Sequence, residues 1–208
     1  MGDISELKRV RLEKEQKLKD LGVNVHPERY EITHSLKDVR KLEEGVKNVR
    51  VAGRVMSKRK MGKISFMDLR DLEGKIQLVF KRDDLGEENY KLLHATVDIG
   101  DFIGVEGETF VTQAGEKSIQ VKSYEFLGKA LRPLPEKFHG ISNQEMLYRE
   151  RHLDLIMNEE TKKRFLLRSD FIKLLREFLW SKGFIEVDTP VLQNTASGAT
   201  ARPFITHH

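Results

Sequence analysis

The sequence predicts a β + α chain: a small five-stranded β-barrel with a helix ahead of it and the opening of an α+β domain behind it. Three observations carry this. Apolar and polar residues alternate with period two in five short runs between residues 46 and 130. A helical run interrupts them between the third and the fourth. Beyond residue 145 the period of two disappears and helical spacing takes over.

Residues 3–21 read as a helix, with Ile4, Leu7, Leu12, Leu18 and Leu21 as an interrupted apolar stripe and Gly22 placed to end it. Residues 24–45 form a mixed connection with a short helix from Ser35, which completes an N-terminal extension over 1–45. In KNVRVAGRV, Val49, Val51, Gly53 and Val55 alternate with Arg50, Ala52 and Arg54, the mark of a half-buried strand. RVMSKRKMGK, residues 54–63, holds five Lys/Arg and no acid, and reads as a basic turn. KMGKISFMDLRD leads into a second strand, and DLEGKIQLVFK gives a third after a tight turn at Glu73-Gly74. Residues 82–97 read as a short helix. GDFIGVEGETFVT and EKSIQVKSYEFL are the last two strands, joined across Gln113-Ala114-Gly115. Five strands with a helix between the third and fourth match the OB-fold over residues 46–130, whose second and third strands bind oligonucleotides.

Residues 131–144 contain Pro133 and Pro135 and read as a linker. In the segment 145–208, EMLYRERHLDLIM and TKKRFLLRSDFIKLLREFLWSKG are helical, and FIEVDTPVL reads as a short strand closed by Pro190. On the long helix, Phe165, Leu167, Phe171, Ile172, Leu174, Leu175, Phe178 and Leu179 cover about half the circumference, wider than the ~100° stripe of an ordinary surface helix. Such a helix must bury two sides. A homodimer partner would cover the second; a further layer of one larger domain would do so equally well.

The composition places the chain among soluble, cytoplasmic proteins. Of 208 residues, 38% are hydrophobic and 34% charged, and no apolar run approaches the ~18 residues of a membrane span. The charged N-terminus lacks the apolar core of a secretion signal. With no Cys there are no disulfides and no thiolate chemistry. A net charge of +4 leans only weakly towards an acidic partner, so the placement of the bases matters more than their number. His207 and His208 are adjacent and would face opposite ways on a strand, and the other histidines lack ligand spacing, so no metal site is expected. Nucleophile elbow, phosphate loop and dinucleotide fingerprint are all missing from the sequence.

The barrel surface carries the chemistry. Ile76, Leu78 and Phe80 share an inward face, which turns Gln77 outward; Met67 and Leu69 are the better core residues of the second strand, which turns Phe66 outward beside it. Flanked by Arg54, Lys58, Arg59 and Lys60, this pair would form a stacking platform inside a basic funnel. The competing reading puts Phe66 in the core with Ile64.

VAGRVMSKRKMGKISFMDLRD, GKIQLVF, KALRPLPEKFHG, RHLDLI, GFIEVDTPVL and ARPFITHH together resemble the N-terminal part of bacterial-type lysyl-tRNA synthetases, which are class II enzymes. GFIEVDTPVL is similar to class II motif 1, and ARPFITHH separates the lysine enzymes from their aspartyl and asparaginyl relatives. The resemblance implies that the barrel binds the tRNA anticodon. Phe66 would stack on a base, Gln77 and Glu116 would read uracil edges, and Arg54 and Arg59 would contact the anticodon strand. It further implies that Gly198 lies in a loop closing over the bound lysine, and that Phe171, Phe178 and Pro190 belong to a dimer interface. His152 stands where the family more often has Tyr.

The family reaction uses ATP and Mg²⁺, held by arginine-bearing motifs 2 and 3. Neither motif occurs in this sequence, so the expectation is that this chain alone carries no catalytic residues, binds neither cofactor and does not form the adenylate. Two other readings stand beside the leading one: a free-standing OB-fold tRNA-binding protein, and an aspartyl- or asparaginyl-type synthetase.

Overall fold

A computed structural model of the chain describes residues 4–135, 144–191, 204 and 206. The chain divides into two compact units, residues 1–136 and 137–208.

In the first unit five strands follow one another: β1 (Val49–Met61), β2 (Ile64–Arg70), β3 (Lys75–Lys81), β4 (Phe102–Val111) and β5 (Lys117–Gly128). They pair in the cyclic order β1-β2-β3-β5-β4 and back to β1. Every pairing is antiparallel except β3 with β5. The inward positions Val49, Val51, Val55, Met67, Leu69, Ile76, Leu78, Phe80, Ile103, Val105, Ile119, Val121 and Phe126 form the core, as the alternation requires.

Long strand β1 closes the ring by serving two neighbours. Its first half pairs with β4 through Arg54↔Phe102, and its second half pairs with β2. The crossover needs Gly53, because a Cβ there would lie 2.6 Å from the Arg70 carbonyl oxygen. Just beyond it the register slips by one residue between Val55 and Ser57, a β-bulge. The slip reverses the alternation: Val49 to Val55 point inward at odd numbers, whereas Ser57, Arg59 and Met61 point outward.

This corrects one expectation. The basic run is not a turn but the far half of β1, and the turn is confined to Gly62 (φ 61°) and Lys63. The helical connection after β3 also differs, splitting into α3 (Arg82–Leu85) and α4 (Glu87–Thr96) at Gly86, whose φ of 82° leaves the helical region.

Ahead of the strands lie α1 (Ile4–Asp20), ended by Gly22, and α2 (Leu36–Val39), capped by Ser35. Among the described side chains of that stripe, Leu7, Leu12 and, just past the helix, Leu21 face solvent, whereas Leu18 is buried. Polar contacts hold the helix instead. Lys14 Nζ lies 2.5 Å from Asp98 Oδ1, and the Arg11 guanidinium donates to the carbonyls of Ala130 and Ile99.

These contacts converge on a buried ion pair. Lys129 Nζ is 2.6 Å from Asp101 Oδ2, and both side chains are 0% exposed. Asp101 also accepts from the backbone N–H of Asp98 and of Ala130. Its own backbone, with that of Gly100, takes both hydrogen bonds of Val55 at the bulge, each 2.8 Å.

The second unit comprises α5 (Gln144–Arg149), α6 (Arg151–Met157) and α7 (Glu159–Ser181). Asn158 caps α7, accepting from the N–H groups of Glu160 and Thr161. Asp154 on α6 is buried between Arg151 and the Thr161 hydroxyl and ties α6 to α7. Residues 184–190, expected as a strand, are irregular; among the described residues no strand of this unit lies alongside to pair with them.

Removing one member of a buried, hydrogen-bonded ion pair strands the other charge. Lys129→Met is therefore expected to cost about 3–5 kcal/mol in denaturant unfolding, and a loss under about 1 kcal/mol would contradict this role for the pair.

Candidate nucleic-acid interface

The outward side of β1, β2 and β3 brings Arg54, Arg59, Phe66 and Gln77 onto one surface. Cross-strand register arranges it in rows. Arg54, Arg70 and Lys75 form one row across β1, β2 and β3. Ser57, Asp68, Gln77 and Ser118 form the next, reaching β5. Arg59, Phe66, Val79 and Gln120 form the third. Met61, Ile64 and Lys81 close the set.

Phe66 is part-exposed and outward, because its neighbours Ser65 and Met67 are both buried. The alternative core placement fails with it: Ile64 is itself 37% exposed. Gln77 sits one row away on the adjacent strand, diagonal to Phe66, at a spacing of roughly 7–8 Å that long side chains can bridge. Arg59 lies directly across from Phe66, exposed and without an ion pair to any described residue.

The four bases expected around Phe66 do not stay together. Arg54 and Arg59 are on its side. The Arg54 guanidinium stacks 4.1 Å over the Phe102 ring and donates to the Gly100 carbonyl. Lys58 and Lys60 point the other way, since the bulge gives them the inward parity. Lys58 Nζ reaches the carbonyls of His94 (3.0 Å) and Val97 (2.6 Å) at the C-terminus of α4, where a cation meets the negative end of the helix. Burial brings its pKa down to about 8. Lys60 lies over the Tyr90 ring at 5.8 Å. Between the two, His94 packs edge-on against Tyr90, with Nε2 3.1 Å from the buried Ser65 hydroxyl. Burial, with the charges of Lys58 and Lys60 adding to it, lowers the His94 pKa to about 4, so this imidazole is neutral at pH 7.

Glu116 is exposed and closes the β4–β5 turn. Its N–H bonds to the Thr112 hydroxyl, its carbonyl accepts from the Thr112 N–H, and Gly115 beside it has a φ of 78°. Composition and alternation do not single out Glu116. The structure links it to Gln77 through a residue that sequence reasoning missed, Ser118. The Ser118 hydroxyl lies 3.1 Å from Gln77 Oε1 and 3.2 Å from the Glu116 carbonyl oxygen.

In the second unit Phe171 and Phe178 are 64% and 57% exposed, and Leu167, Leu174 and Trp180 on the same helix are exposed too. Pro190 is exposed as well. Gly198 lies outside the described residues. Among the described residues no three His, Asp or Glu side chains converge to hold a metal ion.

Two family models match this chain: an OB-fold nucleic acid binding domain over residues 49–127, and the class II tRNA synthetases (D, K and N) over residues 143–208. The chain is 50% identical to a lysine–tRNA ligase of Syntrophomonas wolfei, over 99% of this chain and 42% of that protein. It is 47% identical to the lysine–tRNA ligase of Carboxydothermus hydrogenoformans, again over 99% and 42%. The chain is thus similar to lysine–tRNA ligases over nearly its whole length. It is also 46% identical to a Lactococcus lactis lysine–tRNA ligase, over 100% of this chain and 44% of that one. The chain thus spans about two fifths of the length of the curated relatives it matches. The OB-fold match covers β1 to β5, and the synthetase match begins just ahead of α5.

Proposed function

We propose that this chain supplies anticodon recognition and a dimerising segment to a lysine–tRNA ligase, which joins lysine to its tRNA with ATP and releases AMP and pyrophosphate. The observation that carries this reading is the shared outward face of Arg59, Phe66 and Gln77, placed on the second and third strands and the bulged half of β1. Phe66 stacks on an unpaired base, worth about 1–3 kcal/mol in a site of this type. Gln77 and Glu116 hydrogen-bond to uracil edges, and Arg54 and Arg59 contact the strand that carries them. The reaction uses ATP and Mg²⁺. No helix among the described residues is long and apolar enough to cross a membrane; the cytoplasmic location is part of this proposal.

The exposed apolar flank of α7 supports a homodimer in which Phe171, Phe178 and Pro190 meet a second copy. A free-standing tRNA binder would have no use for a segment matched to the synthetase domain. An aspartyl or asparaginyl enzyme is not favoured by relatives that are lysine–tRNA ligases.

Titration of the chain with a uridine-containing lysine anticodon stem-loop tests the face. Phe66→Ala should weaken binding roughly 5- to 150-fold. Arg59→Ala should flatten the salt dependence by about 0.7 in log–log slope, whereas Lys60→Ala, next to it but on the other side, should leave the slope alone. Equal losses on a poly-purine strand would defeat the specific readout. Sedimentation tests the second surface. The chain should self-associate, Phe171→Ser with Phe178→Ser should reduce that, and a monomeric parent chain would contradict the dimer.

A further inference from the structure

Ser118 has a property that its place in the strand does not explain. It is the second residue of β5 and shares the outward parity of Gln77, yet its side chain is 0% exposed. Its hydroxyl is engaged with Gln77 Oε1 at 3.1 Å and with the Glu116 carbonyl oxygen at 3.2 Å. One buried hydroxyl therefore lies between the Gln77 amide and the backbone carbonyl of Glu116.

A glutamine amide is two-ended: oxygen accepts and nitrogen donates, and the terminal torsion is broad and roughly two-fold. Left alone, Gln77 could turn either end to a ligand and would discriminate poorly between an acceptor and a donor. The Ser118 hydroxyl has one hydrogen, shared between the Gln77 amide oxygen and the Glu116 carbonyl oxygen that face it, and this donor on one side of the amide breaks that symmetry. The amide oxygen is drawn towards β5, and the N–H donors become the end offered to a ligand. A uracil carbonyl oxygen accepts from such a donor. The exocyclic amine that cytosine carries at the corresponding position would meet it donor to donor. The same hydroxyl reaches the backbone of Glu116, so the turn and the amide are tied to one atom.

We propose that Ser118 is a positioning residue that sets the donor end of Gln77 towards the ligand, and so makes this face select uridine over cytidine. This rests on the anticodon reading given above. Its chemistry needs no contact between Ser118 and RNA, which fits a side chain with no exposed surface.

The test is the ratio of affinities of the chain for an anticodon stem-loop with uridine and for the same loop with cytidine. Ser118→Ala should lower that ratio at least about fivefold while leaving the contribution of Phe66 intact, as a lost hydrogen bond of this class would do. Ser118→Thr, which keeps the hydroxyl, should restore it. In a Gln77→Glu background the carboxylate has two equivalent ends, so adding Ser118→Ala should no longer change the ratio. A thermal melt of Ser118→Ala separates this from misfolding, and the Gln77→Glu comparison, made within one fold state, reads the same coupling independently. If Gln77→Ala lowers the ratio and Ser118→Ala does not, the positioning role is refuted and the anticodon reading stands. If neither Gln77→Ala nor Phe66→Ala affects binding, the anticodon reading falls and this inference falls with it.

Discussion

The carboxylate of Asp101 is the constraint on which the outward face of β1, β2 and β3 depends. It pairs with Lys129, accepts from two backbone N–H groups, and fixes the short turn between α4 and β4. The backbone of that turn holds Val55 on both sides at the point where β1 slips register. A β-strand has a side-chain period of two, so one inserted residue exchanges inward and outward for everything beyond it. Without the slip, Lys58 and Lys60 would line the Phe66 face and Arg59 would point inward. A buried ion pair thus decides which cation stands opposite the aromatic ring.

The same cluster explains how a highly charged helix can dock on a small domain. α1 contributes little apolar surface beyond Leu18, but Lys14 and Arg11 reach Asp98 and the carbonyls of Ile99 and Ala130. Lys129, Asp98, Asp101 and Lys14 form one network around the end of α4, with Lys58 entering from the strand side. Paired in this way, the buried charges are satisfied, and they specify geometry more than they add net stability. Lys58, partly desolvated, is a structural cation, even though it sits in the most basic stretch of the sequence.

Much of the face was legible from alternation alone. Ile76, Leu78 and Phe80 on one strand, with Met67 and Leu69 on the next, force Gln77 and Phe66 outward, and period two is a local property that needs no knowledge of the fold. The bulge was not legible. An irregular run of Lys, Arg, Met and Ser looks like a turn because its parity changes midway, and the cause lies in hydrogen bonds to Gly100 and Asp101, far along the chain. Ser118 was hidden for a related reason: its partner Gln77 is brought to it by the single parallel pairing of the sheet. Glu116 was signalled only by family resemblance. In the second unit, the wide apolar flank of α7 was legible from spacing. FIEVDTPVL has strand-like residues, but composition cannot supply the neighbour that a strand must pair with.

Amide chemical-shift mapping of the isotope-labelled chain, titrated with a short uridine-rich single strand, tests the central claim most directly. The expected changes fall on residues 57–61, 64–70, 75–81 and 112–118, with Arg59, Phe66 and Gln77 among the largest. Changes centred instead on the open cleft lined by Lys47, Asn48, Glu106, Glu108 and Lys122 would contradict it.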